Sequence, residues 1–350
     1  MQRLLPKTAQ SFLCLLVVLL VTGCGNSYYR GPVTAHFDGR KFDNPWAPMP
    51  VRFGDFIKWR LTADRGLWPE SVPVTPSTPP VRVPDDTLRV TYVGHATVLL
   101  QTRGLNILTD PIWSERPSPF SFAGPKRVAV PGIRFEDLPP IDVVLVSHNH
   151  YDHLDLPTLE RLFKAFNPLV LTPLGNDAII LGAIPGMRVK ALDWGERFEL
   201  NRQVRFTLEP MQHWSARSLF DRREALWGAF VVEAPGGPIY FLADAGYAKA
   251  LSGQFVARYG TPRFSLLPVG AYEPRWFMQY AHMTPAEAVQ TYLDLGEGYA
   301  MGTQHEVFAL ADEAYAAPRQ ALAEALQAKG VDRERFLLPE VGGWFTVPPR

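Results

Sequence analysis

Residues 141–153, which read IDVVLVSHNHYDH, join a buried-strand pattern to a cluster of metal-binding side chains. The apolar run IDVVLV is typical of a strand that is covered on both faces. The next residues place His148, His150, Asp152 and His153 within six positions, although the whole chain has only 8 histidines. Because α/β folds carry their chemistry on loops at the C-terminal ends of strands, this pattern predicts a metal site on such a loop.

The short run cannot easily surround one tetrahedral ion with all four of its donor side chains. Imidazole and carboxylate groups suit a borderline divalent ion such as Zn²⁺. Sharing the donors between two neighbouring ions is geometrically more natural, and it requires further ligands from distant strands. Three candidates follow other strand-like runs: His213 after VRFTLEP, Asp244 after PIYFLA and His305 after YAMGTQ.

The rest of the chain alternates short strands with turns and helices. From Leu88 onward, runs such as LRVTYVG and GAFVVEA read as strands, whereas LPTLERLFKAF and PRQALAEALQAKG read as helices. A chain of 350 residues with 47% hydrophobic content is long enough to bury a substantial core. The pattern predicts one α/β domain with sheets in the middle and helices outside.

Residues 1–24 have the layout of a secretory signal, with two cations before the apolar run SFLCLLVVLLV. The run is shorter than the roughly 20 residues that a membrane-spanning helix needs. The following VTGC resembles a bacterial lipobox, which implies cleavage before Cys24 and lipidation of that cysteine. A simple cleaved signal peptide and an uncleaved anchor are the alternatives.

Cysteine usage agrees with this interpretation, because the chain contains only Cys14 and Cys24. Cleavage and lipidation together leave no free thiol, which excludes cysteine nucleophiles and zinc–thiolate sites. Gly25 after the lipidated cysteine, rather than Asp, favours the outer membrane. We therefore expect an exported, membrane-anchored lipoprotein that faces the periplasm of a bacterium.

Residues 25–84 form a proline-rich lead-in to the main domain, which we assign to residues 85–350. One short helix is expected within the lead-in, at VRFGDFIKWRLT. Its mixture of aromatic and cationic side chains fits either packing on the domain or contact with a membrane surface.

The charge balance argues against one class of partner. Lys plus Arg and Asp plus Glu are both 35, so the formal net charge is zero. No net positive field is available to hold a polyanion, and nucleic-acid binding is not expected.

The order of the candidate ligands resembles the signature of the metallo-β-lactamase superfamily, HxHxDH followed by a lone His, a lone Asp and a final His. This resemblance implies an α/β fold of the αββα sandwich type and two metal ions, expected to be Zn²⁺ although other divalent metals are possible. It assigns His148, His150 and His213 to one ion, Asp152, His153 and His305 to the other, and Asp244 to a bridge between them.

Longer stretches resemble the branch that contains N-acyl-phosphatidylethanolamine-hydrolysing phospholipase D. Among them are GHATVLL, LTDPIWSERPSPFSFAGPKR and LPVGAYEPRWFMQYAHMTPAEA, and the likeness extends over roughly residues 40–320. It implies a phosphodiesterase that acts on N-acyl-phosphatidylethanolamine or a related diester. The chain departs from the animal enzyme at Ala281, where that enzyme has a glutamine, and at QHEVF, where its last ligand lies in a His-Trp-Gly context.

The chemistry of a two-metal site leads to a hypothesis about catalytic roles. A hydroxide shared by two metals would attack phosphorus, with Asp244 setting the metal separation and Asp152 orienting the nucleophile. The resemblance places His282 beside the substrate, and a local structural role at the entrance of a helix is the alternative. Asp110 and His95 are candidates either for supporting metal ligands or for local structural bonds.

Other side chains near these motifs have two interpretations each. Arg275 fits either a substrate phosphate or an ion pair with Glu273 or another acid. Six aromatic residues fit either an acyl-chain groove or ordinary core packing: Trp113, Phe120, Phe122, Trp276, Phe277 and Tyr280.

Other functions stay open at this stage because a fold and a metal core do not fix the leaving group. A lactonase or an amidase on the same scaffold is one alternative, and a non-catalytic envelope lipoprotein is another. A serine hydrolase is disfavoured because no GxSxG motif is present. The sequence does not indicate the acyl chain, the head group or the oligomeric state.

Overall fold

The structure is a computed structural model that describes residues 28–47, 49–85 and 87–349. The predicted signal segment, with Cys24 at its end, lies outside the described residues. Within the described residues, no helix has both the length and the apolar composition needed to cross a membrane.

Two mixed β-sheets form the centre of the molecule, with seven strands each. The first sheet has the order β14-β1-β2-β3-β4-β5-β6, antiparallel from β14 to β3 and parallel from β3 to β6. Its strands are β1 (Leu88–Gly94), β2 (Thr97–Thr102), β3 (Leu105–Thr109), β4 (Val143–Leu145), β5 (Leu169–Pro173), β6 (Arg188–Leu192) and β14 (Trp344–Val347).

The second sheet has the order β13-β12-β11-β10-β9-β8-β7, parallel from β10 to β13 and antiparallel from β7 to β10. Its strands are β7 (Arg197–Glu199), β8 (Arg205–Glu209), β9 (Ala229–Glu233), β10 (Ile239–Phe241), β11 (Phe264–Pro268), β12 (Tyr299–Thr303) and β13 (Phe336–Leu337).

Seven α-helices and one 3₁₀ helix, at Phe135–Asp137, accompany the sheets in the described part of the chain. The α-helices are α1 (Phe53–Thr62), α2 (Leu156–Phe166), α3 (Asn176–Ala183), α4 (Lys249–Tyr259), α5 (Arg275–Met278), α6 (Pro285–Asp294) and α7 (Ala317–Lys329). The capping box expected at the start of α6 is present, with Thr284 and Glu287 each accepting the other's backbone N–H. Gly330 ends α7 in the left-handed region, at a φ of 67°.

Alternating side chains of the first sheet supply two separate hydrophobic cores. On β2, Val98 and Leu100 point into the core between the sheets, where they share a cluster with Phe230 and Leu266 of the second sheet. The intervening Leu99 belongs to an outer cluster that is covered by α2 and α3. Since α4, α6 and α7 lie on the second sheet's side, the layers are helix, sheet, sheet and helix. The predicted αββα sandwich is confirmed.

The proline-rich lead-in packs closely on this sandwich. Phe37 and Phe42 are buried in the core between the sheets. Helix α1 buries Trp59, whose ring stacks on Phe277 at a centroid distance of 5.1 Å. The helix therefore packs on its own domain, which was one of the two interpretations of its sequence. The division at residue 84 stays a prediction.

Strand direction brings the candidate ligands to one rim of the sandwich. Strands β3 to β6 are parallel, and so are β10 to β13, so their C-terminal ends lie together within each sheet. Strand β8 runs in the direction of β10 because each is antiparallel to β9. The loops that follow β3, β4, β8, β10 and β12 carry Asp110, the HNHYDH segment, His213, Asp244 and Gln304–His305.

Candidate metal centre

The HNHYDH segment forms a tight turn directly after β4. The backbone N–H groups of His153 and Leu154 both donate to the carbonyl of His150, at 3.1 and 2.9 Å. This turn directs the ring of His148 toward that of His150, with Nε2 and Nδ1 2.9 Å apart. The local fold therefore brings together ligands that are neighbours in sequence.

His148, His150 and His213 form the first group of converging donors, in which one nitrogen of each ring lies within 4.8 Å of the others. His213 Nε2 is 3.2 Å from His150 Nδ1. Nitrogen ligands held about 2.0 Å from a tetrahedral Zn²⁺ are about 3.3 Å from one another. These contacts therefore match the spacing of ligands around one such ion.

Hydrogen bonds fix which nitrogen of two of these rings faces the centre. The Nδ1 of His213 lies 2.9 Å from the carbonyl oxygen of Ala281, which can only accept, so this nitrogen carries the proton. Ser147 Oγ donates its one proton to Asp110 at 2.6 Å and accepts from His148 Nδ1 at 2.9 Å. The Nε2 atoms of His148 and His213 are thus left with lone pairs toward the centre.

A second group of donors surrounds His153. Its Nε2 lies 3.2 Å from the Oδ2 of Asp152 and 3.1 Å from the Oδ2 of Asp244. Its Nδ1 donates to Asp110 at 2.6 Å, so Nε2 is the nitrogen that faces the two carboxylates. One nitrogen and two carboxylate oxygens therefore converge beside the first group. Asp244 lies between the groups, because its Oδ2 is also 4.0 Å from His213 Nε2.

Asp110 and His95 support this arrangement from behind the ligands. Asp110 is fully buried and accepts from His153 Nδ1 and from both the backbone N–H and the hydroxyl of Ser147. It therefore orients one ligand in each group. His95 Nε2 bonds to Asp152 Oδ2 at 2.8 Å. Both residues have positive φ values, 31° and 59°, which are sparsely populated and occur at functional sites.

His305 is not brought to the centre. Its ring stacks on Tyr92, with centroids 4.9 Å apart and an interplanar angle of 14°. Its Nδ1 lies 3.3 Å from Glu306, which in turn pairs with Arg319 at 2.6 Å. The neighbouring Gln304 faces the centre instead, and its Nε2 donates to Asp244 Oδ2 at 2.8 Å. The QHEVF departure was the only signal in the sequence for this difference.

His282 lies at the entrance to the centre. Its Nδ1 is 3.8 Å from Asp244 Oδ2, and its ring meets His213 edge-on at 5.2 Å. Arg275 does not face the centre, because its Nη1 donates to the carbonyl of His282 at 2.8 Å and its Nη2 pairs with Glu287 at 2.9 Å. The ion-pair interpretation of Arg275 is confirmed, with Glu287 as the acid.

Burial and neighbouring charges set the protonation states of these side chains. Burial lowers the pKa of His150 to about 4 and lowers the pKa values of His148 and His213 well below the usual range. Burial alone raises the pKa of Asp152 and of Asp244, but His153 holds both pKa values below the usual range. Neutral imidazoles and ionised carboxylates are the forms that bind a metal. Burial alone would lower the pKa of His153, but Asp244, Asp152 and Asp110 raise it well above its usual range. Metal binding at the second group therefore requires His153 to release a proton.

A cavity of about 320 Å³ opens onto the centre, and most of its wall is apolar. Helix α1 contributes Phe53, Phe56 and Trp59 to this wall. Of the six aromatic residues proposed for an acyl groove, Phe277 lines the cavity. Trp113 belongs instead to the outer core, where its Nε1 donates to the carbonyl of Ile133 at 3.1 Å. The sequence did not identify the three α1 residues as part of a cavity. The amphipathic pattern of α1 was the signal that could have indicated it.

Several buried polar atoms at the centre make no hydrogen bond within the described residues. Among them are His153 Nε2, Asp244 Oδ1, His282 Nδ1 and Gln304 Oε1. Unpaired buried polar atoms are rare and call for an explanation such as a bound ion. Three imidazole nitrogens on one side, and an imidazole with two carboxylates on the other, are suitable donors for divalent metals. The residues present therefore fit a metal centre.

Comparisons of sequence agree with this geometry. A family model described as a beta-lactamase superfamily domain matches residues 105–304. An N-acyl-phosphatidylethanolamine-hydrolyzing phospholipase D from Caenorhabditis elegans is 34% identical over 317 residues, which are 83% of this chain and 88% of the relative. An uncharacterized protein of Mycobacterium tuberculosis is 34% identical over 280 residues, which are 79% of this chain and 74% of that protein.

Solved structures show the same fold at low sequence identity. An isothiocyanate hydrolase from Delia radicum gut bacteria has a TM-score of 0.58 at 20% identity, covering 74% of this chain and 99% of that one. The metallo hydrolase Igni18 from Ignicoccus hospitalis has a TM-score of 0.55 at 18% identity, covering 74% of this chain and 98% of that one. At this identity the likeness concerns the fold alone.

Proposed function

The chain belongs to the metallo-β-lactamase superfamily, and on this premise we propose that it is a metal-dependent hydrolase of phospholipase D type. Its proposed substrate is N-acyl-phosphatidylethanolamine or a related phosphodiester. One observation carries the proposal: two groups of metal donors lie at the end of an apolar cavity. The Caenorhabditis elegans relative, whose name states this activity, supports the choice of substrate class.

His148, His150 and His213 would hold one divalent ion, and Asp152 and His153 would hold the other. Asp244 lies between the two groups and would contribute to holding both ions. When bound, such ions lower the pKa of water and neutralise charge on a phosphoryl group. Zn²⁺ is the expected metal, although the same donors accept other divalent ions.

The chain's own residues would orient the substrate. The apolar wall from α1 and Phe277 excludes water and suits an acyl chain. Arg52 and Arg222 also line the cavity, and they bring positive charge to a substrate whose phosphodiester is negative. His282 lines the same cavity beside Asp244, so its ring is placed to contact the head group or the departing oxygen.

Membrane attachment is a second part of the proposal. The apolar run and Cys24 in the first 24 residues support export and lipid anchoring, with the outer membrane as the expected site. An anchored enzyme would keep its cavity close to a lipid surface, which agrees with a phospholipid substrate.

The test is a substrate panel with the metal-loaded full chain in detergent. We expect N-acyl-phosphatidylethanolamine to give phosphatidic acid and an N-acylethanolamine, and we expect chelation of the metal to stop the reaction. The matched variant Asp244→Asn should lose most activity while keeping its far-UV circular dichroism. Ring opening of lactones without cleavage of any diester would contradict the proposal.

A further inference from the structure

Gln304 occupies a position at the metal centre that the family resemblance assigned to His305. It follows β12 directly, and its backbone N–H donates to the carbonyl of His95 at 3.0 Å. Its left-handed φ of 66° turns the chain so that the side chain points inward. The residue is only 4% exposed, and its amide lies beside Asp244.

The amide of Gln304 is only half satisfied. Its Nε2 donates to Asp244 Oδ2, but its Oε1 is buried and has no hydrogen-bond partner among the described residues. Gln304 also lines the cavity together with Asp152 and His282. A half-turn of the amide exchanges the two atoms and brings a neutral oxygen to the carboxylates.

The two groups of donors differ in their chemistry. The first consists of three imidazole nitrogens, which suit Zn²⁺. In the second, the carboxylates of Asp152 and Asp244 converge on one nitrogen of His153. An amide oxygen added to this second group makes it rich in oxygen, and such sites suit harder ions such as Mn²⁺.

We propose that the Gln304 amide oxygen completes the second metal position, so that the two positions differ in affinity and in metal preference. The three-histidine position binds Zn²⁺ tightly. The position of Asp152, His153, Asp244 and Gln304 binds a second Zn²⁺ more weakly and accepts Mn²⁺. This inference rests on the metal centre of the proposed function.

The test is metal binding by the full chain, with no substrate present. Apo protein loaded with one equivalent of Zn²⁺ is titrated with Mn²⁺ and followed by electron paramagnetic resonance, and Zn²⁺ binding is followed by calorimetry. We expect one tight and one weaker Zn²⁺ site, and a bound Mn²⁺ signal at the weaker site. Gln304→His should raise Zn²⁺ affinity at that site by about tenfold or more and suppress the Mn²⁺ signal.

Two further variants make the result decisive. Gln304→Ala should weaken the second site, whereas the matched variant His305→Gln, whose side chain contacts Tyr92 and Glu306, should leave both sites unchanged. Loss of the second ion in His305→Gln, or in His282→Asn but not in Gln304→Ala, would overturn the assignment. So would two tight Zn²⁺ sites that no Gln304 variant alters.

These outcomes are separable from those of the proposed function. Unequal metal sites in a chain that cleaves no diester would contradict only the substrate assignment. Diester cleavage by a chain with two equal Zn²⁺ sites would contradict only the role of Gln304.

Discussion

Replacing Asp110 by Asn should disturb both groups of metal donors at once. The carboxylate accepts three hydrogen bonds, from His153 Nδ1 and from the backbone and hydroxyl of Ser147, at 2.6, 2.7 and 2.6 Å. An amide keeps one oxygen and adds two donor hydrogens, so it cannot accept from His153 and from both groups of Ser147 without rearrangement. His153 then loses the bond that fixes its proton on Nδ1, and His148 loses the relay through Ser147.

The magnitude follows from the number of bonds and their burial. A hydrogen bond to a charged group contributes about 1.5–3 kcal/mol, and an unsatisfied buried donor costs about 1–3 kcal/mol. We therefore expect the free energy of unfolding of the apo protein to fall by about 2–4 kcal/mol. Loss of a carboxylate that orients a ligand histidine lowers metal affinity about 10–100-fold, and we expect the same range here.

The assay combines urea unfolding of the apo protein with calorimetric titration of Zn²⁺. Asp155→Asn is the matched control, because Asp155 is 6% exposed and accepts from Ser114 and Thr158. It lies in the loop that carries HNHYDH, but its side-chain bonds lead to no proposed ligand. The control should lose stability and keep its metal affinity. Equal Zn²⁺ affinity in Asp110→Asn and wild type would refute the reasoning.

Three further predictions concern the apolar cavity, the backbone at His282 and the stability of the fold at low pH. Phe56→Ala should lower kcat/KM for long-chain substrates about tenfold relative to short-chain ones, since the ring forms part of the apolar wall, whereas exposed Leu67 replaced by Ala should not. Arg275→Met should lower kcat without changing metal content, because the guanidinium holds the backbone carbonyl of His282 at the entrance to the centre. Burial alone would raise the pKa of Glu306, but His305 and Arg319 lower it to about 2, so its ionised form stabilises the fold above about pH 4.5. Urea unfolding should show Glu306→Gln less stable than wild type by roughly 2 kcal/mol at pH 7, with the difference disappearing between about pH 4.5 and 2.

The layered fold was predictable because its signals are local. Apolar strands on both faces, the capping box at Thr284 and the glycine stop at Gly330 are properties of short segments, and the structure contains each of them. Strand direction then brings the strand ends to one rim. The contacts among His148, His150 and His153 follow from a single turn, and sequence spacing is sufficient to anticipate them.

The last ligand position could not be deduced from spacing. Gln304 and His305 are adjacent, so a small change in backbone conformation decides which side chain points to the centre. Positive φ values at Gln304 and Glu306 and the stacking of His305 on Tyr92 make that choice. These features depend on contacts with residues more than 200 positions away in sequence, such as the Tyr92 hydroxyl that donates to the His305 carbonyl.

Local sequence patterns also could not predict where the lead-in packs on the sandwich. The sequence of helix α1 is amphipathic, but this pattern does not show which surface of the protein its apolar face packs against. The structure places Trp59 against Phe277 and brings Phe56 to the cavity. In the same lead-in, His36 bonds to Asp193 at 2.7 Å and stacks on Trp194. Long-range packing of this kind depends on the finished sandwich.

The most direct measurement of the proposed chemistry is the fate of the attacking oxygen. The metal-loaded full chain hydrolyses N-acyl-phosphatidylethanolamine in water enriched in heavy oxygen, and the products are analysed by mass spectrometry. Attack at phosphorus predicts one heavy oxygen in the phosphate of phosphatidic acid and none in the N-acylethanolamine. Heavy oxygen in a released fatty acid, or a reaction that yields no phosphatidic acid, would contradict the assignment of a phosphodiesterase.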